Sequence, residues 1–268
     1  MTLQIITWDV NPEIFRIGNF AVRWYGLLFA SGFVFGYYIM RGFFRNEGIQ
    51  EAVLDKLTVY VALGTIIGAR LGHCFFYEPA YYLAHPLEIL KVWHGGLASH
   101  GAAIGILLSL WLFVRKEKKP FIWVIDRLVV VVALAGALIR LGNLMNSEIY
   151  GVETTLPWGF VFLQNGERVP KHPTQIYEAL AYLVTFGILM WIYWKTRGKQ
   201  KPGLLFGLFL ILVFLFRFFV EYVKEDQVDF EAGMKLNMGQ LLSIPFVIAG
   251  VAILIWAFTR KQPQVARK

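Results

Sequence analysis

Seven apolar runs, each close to the length that crosses a bilayer, constrain the fold of this chain more than any other feature. They lie at roughly residues 20–40, 53–76, 97–114, 121–142, 175–194, 203–222 and 238–259. A backbone in hydrocarbon must satisfy its own hydrogen bonds, and the runs lack the alternation of barrel strands, so each is predicted to be a helix. We therefore expect an all-α, polytopic membrane bundle that forms a single domain over residues 1–268.

The distribution of charge argues against a nucleic-acid-binding protein and predicts the orientation of the helices in the membrane. The net charge is +8, but the basic residues stand in short clusters between the runs and do not form one face for nucleic acid. Basic clusters at 41–45, 115–119, 195–201 and 260–268 alternate with acid-rich connections at 78–88, 148–167 and 225–231. Because Lys and Arg collect on the cytoplasmic side, the N-terminus is expected outside and the C-terminus inside, with residues 146–172 as an extracytoplasmic loop or lid.

Polar side chains within the apolar runs fall mostly in the outer half of the predicted bundle. A charge near the centre of a spanning helix costs about 2.5 to 3.5 kcal/mol on insertion scales, so it needs a partner or a task. The residues concerned are Tyr25, Arg70, His73, His100, Arg140, Asn143, Glu148, Glu178, Arg217 and Glu221. Their one-sided placement predicts a polar cavity that opens to the outer leaflet.

Helical spacing places Arg140 with Asn143, and Arg217 with Glu221, on common helix faces. Two guanidinium groups that face one cavity suit a phosphate, which they bind through bidentate charge-assisted hydrogen bonds. An anionic phospholipid headgroup is the expected ligand. The alternative is that the arginines form structural ion pairs, Arg217 with Glu221 and Arg140 with Glu148.

His100 lies in the glycine-containing stretch Trp93-His94-Gly95-Gly96-Leu97-Ala98-Ser99-His100-Gly101, which permits a tight turn into a helix. It is a candidate base, although a histidine near a membrane interface is often structural. Arg70 and His73 are interpreted as a supporting network. The chain has no HExxH, GxSxG, CxxC or P-loop motif, so neither a metal nor a cofactor is expected. Cys74 is the only cysteine and is expected to pack as a small apolar residue.

The stretch Arg140-Leu141-Gly142-Asn143-Leu144-Met145-Asn146-Ser147-Glu148 resembles the signature of the prolipoprotein diacylglyceryl transferase family, approximately G-R-x-G-N-F-x-N-x-E. The resemblance extends, in the family's order and over most of the chain, to Trp24-Tyr25-Gly26, Gly95-Gly96-Leu97 with His100-Gly101, His172-Pro173-Thr174-Gln175-Ile176-Tyr177-Glu178 and Arg217-Phe218-Phe219-Val220-Glu221. The chain departs from the pattern at Val213, where some members carry tyrosine one turn before the arginine.

The resemblance implies transfer of the diacylglyceryl group from phosphatidylglycerol to the lipobox cysteine of a prolipoprotein, in the bacterial cytoplasmic membrane. On this interpretation His100 is the candidate base, and Arg140 and Arg217 stabilise the leaving phosphate. Substrate binding is assigned to Arg140 together with Tyr25, Asn143, Asn146, Glu148 and Glu221, the two glutamates orienting the arginines.

Two other functions are compatible with some of these residues. A transporter or flippase of an anionic lipid or small anion would use the same arginines, but alternating access favours repeated halves and charges on both sides of the midplane. A covalent acyltransferase built on Cys74 and His100 is the third hypothesis. It predicts loss of activity in a Cys74→Ala variant.

Overall fold

The computed structural model describes residues 6–18, 20–92, 95–225 and 233–260. Several residues used above lie outside these ranges: Trp93, His94, Asp226, Asp229, Glu231, Lys261, Arg267 and Lys268. Eight helices account for most of the described chain: α1 Trp24–Asn46, α2 Glu51–Phe76, α3 Pro79–Ala84, α4 Ser99–Glu117, α5 Phe121–Met145, α6 Thr174–Thr196, α7 Leu204–Val220 and α8 Met238–Thr259. Four short strands accompany them: β1 Ile6–Trp8, β2 Glu13–Ile17, β3 Phe20–Arg23 and β4 Phe160–Phe162.

Six of the helices in the described ranges are long and apolar enough to span a membrane, namely α1, α2, α5, α6, α8 and α7 with its extension to Val223. The chain is therefore a multi-pass helical membrane protein. The remaining predicted span, 97–114, corresponds to α4, which has 19 residues. Its last turn contains Arg115 and Lys116, and it is not among the six candidate spans of the described ranges.

The chain divides into two compact units, one formed by Met1–Ile39 with Asp126–Lys268 and the other by Met40–Ile125. In the second unit α2 packs closely on α4 through facing glycines. A Cβ on Gly72 would lie 2.6 Å from Cα of Gly101, and a Cβ on Gly68 would lie 2.8 Å from Cα of Gly105. These small residues allow the two helices to approach closely.

In the first unit α1 packs against α5, and α7 packs against both α6 and α8. Asp126 of α5 determines where α7 begins. Its carboxylate accepts hydrogen bonds from the backbone N–H groups of Gly203 (2.7 Å) and Phe206 (2.9 Å). Gly203 has a φ of +90°, and no side chain of its own turn caps the helix. Asp126 therefore satisfies N–H groups that a helix start otherwise leaves unpaired.

A small module that contains the four short strands belongs to the same unit. Strand β1 pairs in parallel with β4, in the register Ile6 to Phe160, and β2 pairs antiparallel with β3. Beneath β4 a small core contains Leu144, Phe160 and Phe162, with Trp8 packed against it. The indole of Trp8 donates to the carbonyl of Leu144 over 3.0 Å, which joins this module to the end of α5.

Candidate active site

Arg140, near the end of α5, is held by groups on two helices. Its Nε lies 3.2 Å from Oε2 of Glu178 on α6, and its Nη1 donates to Oδ1 of Asn143 over 3.3 Å. The side chain of Arg140 is 14% exposed and that of Glu178 only 3%. The contact with Asn143 is the one that helical spacing predicted.

Lys224 links this pair to Glu221. Its Nζ lies 3.3 Å from Oε1 of Glu178 and 3.3 Å from Oε1 of Glu221, and its side chain is 3% exposed. Arg217 completes the series, since its Nε lies 3.5 Å from Oε1 of Glu221. We call Arg140, Glu178, Lys224, Glu221 and Arg217 the charged chain. Its three cations and two carboxylates alternate along the series and leave one positive charge in excess.

Glu221 is held from α8 as well. Asn237, the residue before α8, donates from Nδ2 to Oε2 of Glu221 over 3.2 Å. Gly239 leaves the space that the carboxylate occupies, because a Cβ there would lie 2.6 Å from Oε1 of Glu221. The start of α8 therefore sets the position of Glu221 and, through it, that of Arg217.

The turn after α5 brings Glu148 back toward Asn143. The amide of Asn143 donates to Oε1 of Glu148 over 2.8 Å, and Asn146 donates to the same oxygen over 3.3 Å. Ser147 and Ile149 adopt positive φ values of 53° and 61° here, which a β-branched residue such as isoleucine rarely does.

Two residues at the start of α6 fix this strained turn. Gln175 donates to the carbonyl of Glu148 over 2.7 Å, and Thr174 donates to that of Ile149 over 2.9 Å. The turn is thus held by the helix that also carries Glu178.

One predicted ion pair is corrected by this geometry. Arg217 does pair with Glu221, but the carboxylate at Arg140 is that of Glu178 and not that of Glu148. Glu148 instead accepts hydrogen bonds from Asn143 and Asn146. Asn143 stands between them, with its oxygen toward Arg140 and its nitrogen toward Glu148.

Tyr25 lies at the edge of the same cluster. Its ring packs on Gly142 of α5, where a Cβ would lie 2.8 Å from the ring carbon Cδ2. The phenol lies within electrostatic range of Glu148 and Arg140. Of the predicted site residues, the structure therefore brings together Tyr25, Arg140, Asn143, Asn146, Glu148, Arg217 and Glu221.

His100 belongs to the second unit, in the first turn of α4. Its ring packs edge-on against Phe76, with centroids 5.2 Å apart, and lies 5.7 Å from the ring of Tyr77. In the same unit Arg70 is a structural residue, as expected. Its guanidinium donates to backbone carbonyls in the segment before α4, those of Glu88, Ile89, Gly95 and Gly96.

A small, half-open cleft lies beside the charged chain, and residues of α6 and α7 form its walls. They are Glu178, Ala181, Tyr182, Val213, Phe216 and Arg217. Glu178 and Arg217 connect the cleft to the charged chain. Oε2 of Glu178 is buried and, within the described ranges, has no aligned hydrogen-bond donor despite its closeness to Arg140. The cleft thus offers a cation, a carboxylate that is paired with Arg140, and apolar walls.

Sequence reasoning gave no role to Glu178, Lys224 or Tyr182. A signal existed for two of them, because Lys224 follows Glu221 by three residues and Tyr182 follows Glu178 by four, so each shares a helical face with its partner. The contact of Glu178 with Arg140 joins residues 38 positions apart. Helical spacing carries no information on such a pair.

The fold and the site define a multi-pass helical membrane protein with a buried charged chain at one end of its helices. A family model, prolipoprotein diacylglyceryl transferase, matches residues 12–256 of the chain. The chain is 49% identical to the phosphatidylglycerol–prolipoprotein diacylglyceryl transferase of Tolumonas auensis over 96% of its own length and 99% of the relative. The proteins of the same name from Porphyromonas gingivalis and Chloroherpeton thalassium are 49% and 46% identical, over 96% and 97% of this chain. The relatives are covered over 96% and 97% of their own lengths.

The chain therefore belongs to the prolipoprotein diacylglyceryl transferase family. Its membership confirms the resemblance inferred from the signature at Arg140–Glu148 and makes the chain a transferase.

Proposed function

We propose that this protein transfers the sn-1,2-diacylglyceryl group of phosphatidylglycerol to the lipobox cysteine thiol of a prolipoprotein, forming a thioether and releasing glycerol phosphate. One observation carries the proposal: Arg140 and Arg217 belong to one charged chain, and two members of that chain, Glu178 and Arg217, line a cleft with apolar walls. Such a cleft suits a ligand with a phosphate and fatty tails. The names of the relatives include the same two substrates.

In the reaction the cysteine sulfur attacks the lipid carbon that carries the phosphate oxygen. A carbon–sulfur bond forms, the carbon–oxygen bond breaks, and its electron pair leaves with the phosphate. The phosphate therefore gains a negative charge as the bond breaks. Because Arg140 and Arg217 interact more strongly with this charge than with the bound diester, they lower the barrier.

The carboxylates and amides of the cluster hold the arginines in place. Glu178 and Asn143 fix Arg140, and Glu221 fixes Arg217. Tyr25, Asn146 and Glu148 complete the proposed substrate site next to Asn143. Because these groups are already oriented, little reorganisation is needed when charge develops on the phosphate.

The attacking thiol must lose its proton, since the thiolate is the nucleophile and a free cysteine has a pKa near 8.5. His100 is the proposed base. Its place in the first turn of α4, after the glycines of the preceding segment, supports this role. The proton then resides on the imidazole while glycerol phosphate departs.

The membrane arrangement is proposed as seven spans, with α4 as the seventh, the N-terminus outside and the C-terminus inside, in the cytoplasmic membrane. Arg140 and Arg217 lie near the C-terminal ends of α5 and α7, and Glu178 lies near the N-terminal end of α6. Basic residues lie at the opposite end of α6, with Lys195 in its last turn and Arg197 directly after it. The positive-inside tendency therefore supports a site in the outer leaflet beneath the 146–172 loop or lid, within a single membrane domain.

A transporter would require charges along a path to the other side. The charged chain instead stands at one end of α5, α6 and α7, and the family is one of transferases. Neither substrate has to leave the bilayer for the reaction to occur.

Mass spectrometry of a lipobox peptide tests the proposal. The purified protein is incubated with phosphatidylglycerol and the peptide, and released glycerol phosphate is assayed in the same sample. We expect the peptide to gain one diacylglyceryl group and glycerol phosphate to appear in equal amount. A peptide with serine in place of cysteine is the matched control. An unmodified cysteine peptide with folded protein refutes the proposed function.

A further inference from the structure

Tyr182 is a wall residue of the cleft that the proposed mechanism has not used. It lies on α6, one turn after Glu178, and faces Val213 and Arg217 of α7 among the lining residues. The opposite wall presents only apolar groups besides Arg217, namely Val213 and Phe216. The phenol is therefore the neutral hydrogen-bond donor among the side chains that line this cleft.

Gly136 and Arg140 of α5 fix the direction of this phenol. A Cβ on Gly136 would lie 2.8 Å from both Cδ1 and Cε1 of Tyr182, so the ring packs directly on the glycine backbone. Arg140 lies one turn further along α5, and the phenol lies within electrostatic range of Arg140, Glu178 and Arg217. The ring thus crosses Gly136 with its hydroxyl directed to the charged chain.

This arrangement leaves the hydroxyl proton available. The guanidinium of Arg140 has only donors, so it cannot accept the hydroxyl proton of Tyr182. Glu178 lies on the same helix face, but Arg140 and Lys224 already compensate its charge. A phosphate oxygen in the cleft is an acceptor that satisfies Arg217 and the phenol together.

We propose that Tyr182 is a substrate-binding residue whose hydroxyl donates a hydrogen bond to the lipid phosphate, beside Arg217 and opposite Val213. The inference rests on the proposed function for the identity of the lipid. It adds a specific contact to the reaction: the phenol donates to an oxygen of the leaving phosphate from the α6 side of the cleft.

Binding of phosphatidylglycerol to the purified full chain in detergent tests the inference without turnover. Tyr182→Phe removes the hydroxyl and keeps the ring on Gly136. A hydrogen bond to a charged group contributes enough that we expect the Kd for phosphatidylglycerol to rise about 10-fold, with an unchanged thermal midpoint. Phosphatidylcholine serves as the control lipid. Tyr38→Phe, at an exposed position of α1, is the control variant and is expected to bind like the parent.

A second variant separates the effect of the hydroxyl on binding from the effect of ring packing. Val213→Tyr, combined with Tyr182→Phe, returns a phenol to the cleft from the facing wall and is expected to restore the Kd to within about threefold of the parent. A Tyr182→Phe protein that binds phosphatidylglycerol within twofold of the parent overturns the inference. Weaker binding accompanied by a lowered thermal midpoint and no recovery in the double variant also overturns it, because the ring would then act through packing alone.

The two proposals fail in different ways. If the parent binds phosphatidylglycerol through Tyr182 but never modifies the lipobox peptide, the proposed function is refuted while this inference stands. A parent chain without measurable affinity for phosphatidylglycerol refutes both.

Discussion

The ammonium group of Lys224 lies 3.3 Å from the carboxylate of Glu178, a residue 46 positions earlier in the chain. Both side chains are only 3% exposed, so the pair is shielded from water. Lys224 also contacts Glu221 and therefore connects the two carboxylates that hold Arg140 and Arg217. The separation of the two arginines depends on this one side chain.

Replacing Lys224 by methionine is expected to destabilise the protein strongly. Two carboxylates would remain buried with less compensation, and removal of one member of a buried ion pair typically costs about 3 to 5 kcal/mol. We expect a lower thermal midpoint and a loss of transferase activity, both measured in detergent. Lys235→Met removes an exposed lysine and serves as control. Equal midpoints for the two variants would show that the Lys224 contacts do not hold the site.

Gly239→Ala is expected to disturb Glu221 from the α8 side. The added Cβ would lie 2.6 Å from the carboxylate oxygen, so the carboxylate must move and Arg217 loses its support. We expect kcat to fall about 10-fold, the equivalent of about 1.4 kcal/mol in the barrier. Gly187→Ala, in α6, places its Cβ in open space and is the matched control. Comparable kcat values in the two variants would contradict the role of Gly239.

Asp126→Ala is expected to loosen the start of α7. The substitution removes the acceptor of two backbone N–H groups, and each buried unpaired donor costs about 1 to 3 kcal/mol. The thermal midpoint of Asp126→Ala should fall. That of Asp126→Asn, which keeps one acceptor oxygen, should fall less. Hydrogen exchange at Gly203 and Phe206 reports the change directly. Unaltered exchange there in Asp126→Ala would disprove the capping role.

His172 gives the protein a stability that depends on pH. Burial lowers its pKa below the ordinary 6.5, and its Nδ1 lies 3.1 Å from the hydroxyl of Tyr177. As pH falls below about 6.5, the unfolded chain takes up a proton that the folded chain does not, so stability decreases. The thermal midpoint should therefore drop between pH 8 and pH 5, and less so in His172→Gln. An equal drop in both proteins would exclude His172 as a source.

Local spacing predicted part of the site and long-range packing decided the rest. The pairs Arg140 with Asn143 and Arg217 with Glu221 followed from helical geometry, because residues three and four apart share a face. The partner of Arg140 did not follow, since Glu178 lies on another helix. The alternative pairing of Arg140 with Glu148 is absent because the side chain of Asn143 bonds to both residues.

The same contrast applies to the fold. Length and hydropathy predicted helices for all seven apolar runs, although α4 is not among the six candidate spans in the described ranges. The pairing of β1 with β4 joins residues about 150 positions apart, and the periodicity of the sequence does not predict it. The count of seven spans and the orientation remain predictions.

Turnover of Arg140→Lys tests the central claim most directly. Lysine keeps the positive charge but lacks the planar fork that contacts Glu178 and Asn143 and that we propose binds the phosphate. Arg127→Lys, at the other end of α5 and also buried, is the matched control. We expect the rate of glycerol phosphate release to fall at least about 100-fold in Arg140→Lys, which corresponds to about 2.7 kcal/mol of lost transition-state stabilisation. The rate in Arg127→Lys should stay near that of the parent. A near-normal rate in folded Arg140→Lys would contradict the claim that this arginine binds the leaving phosphate.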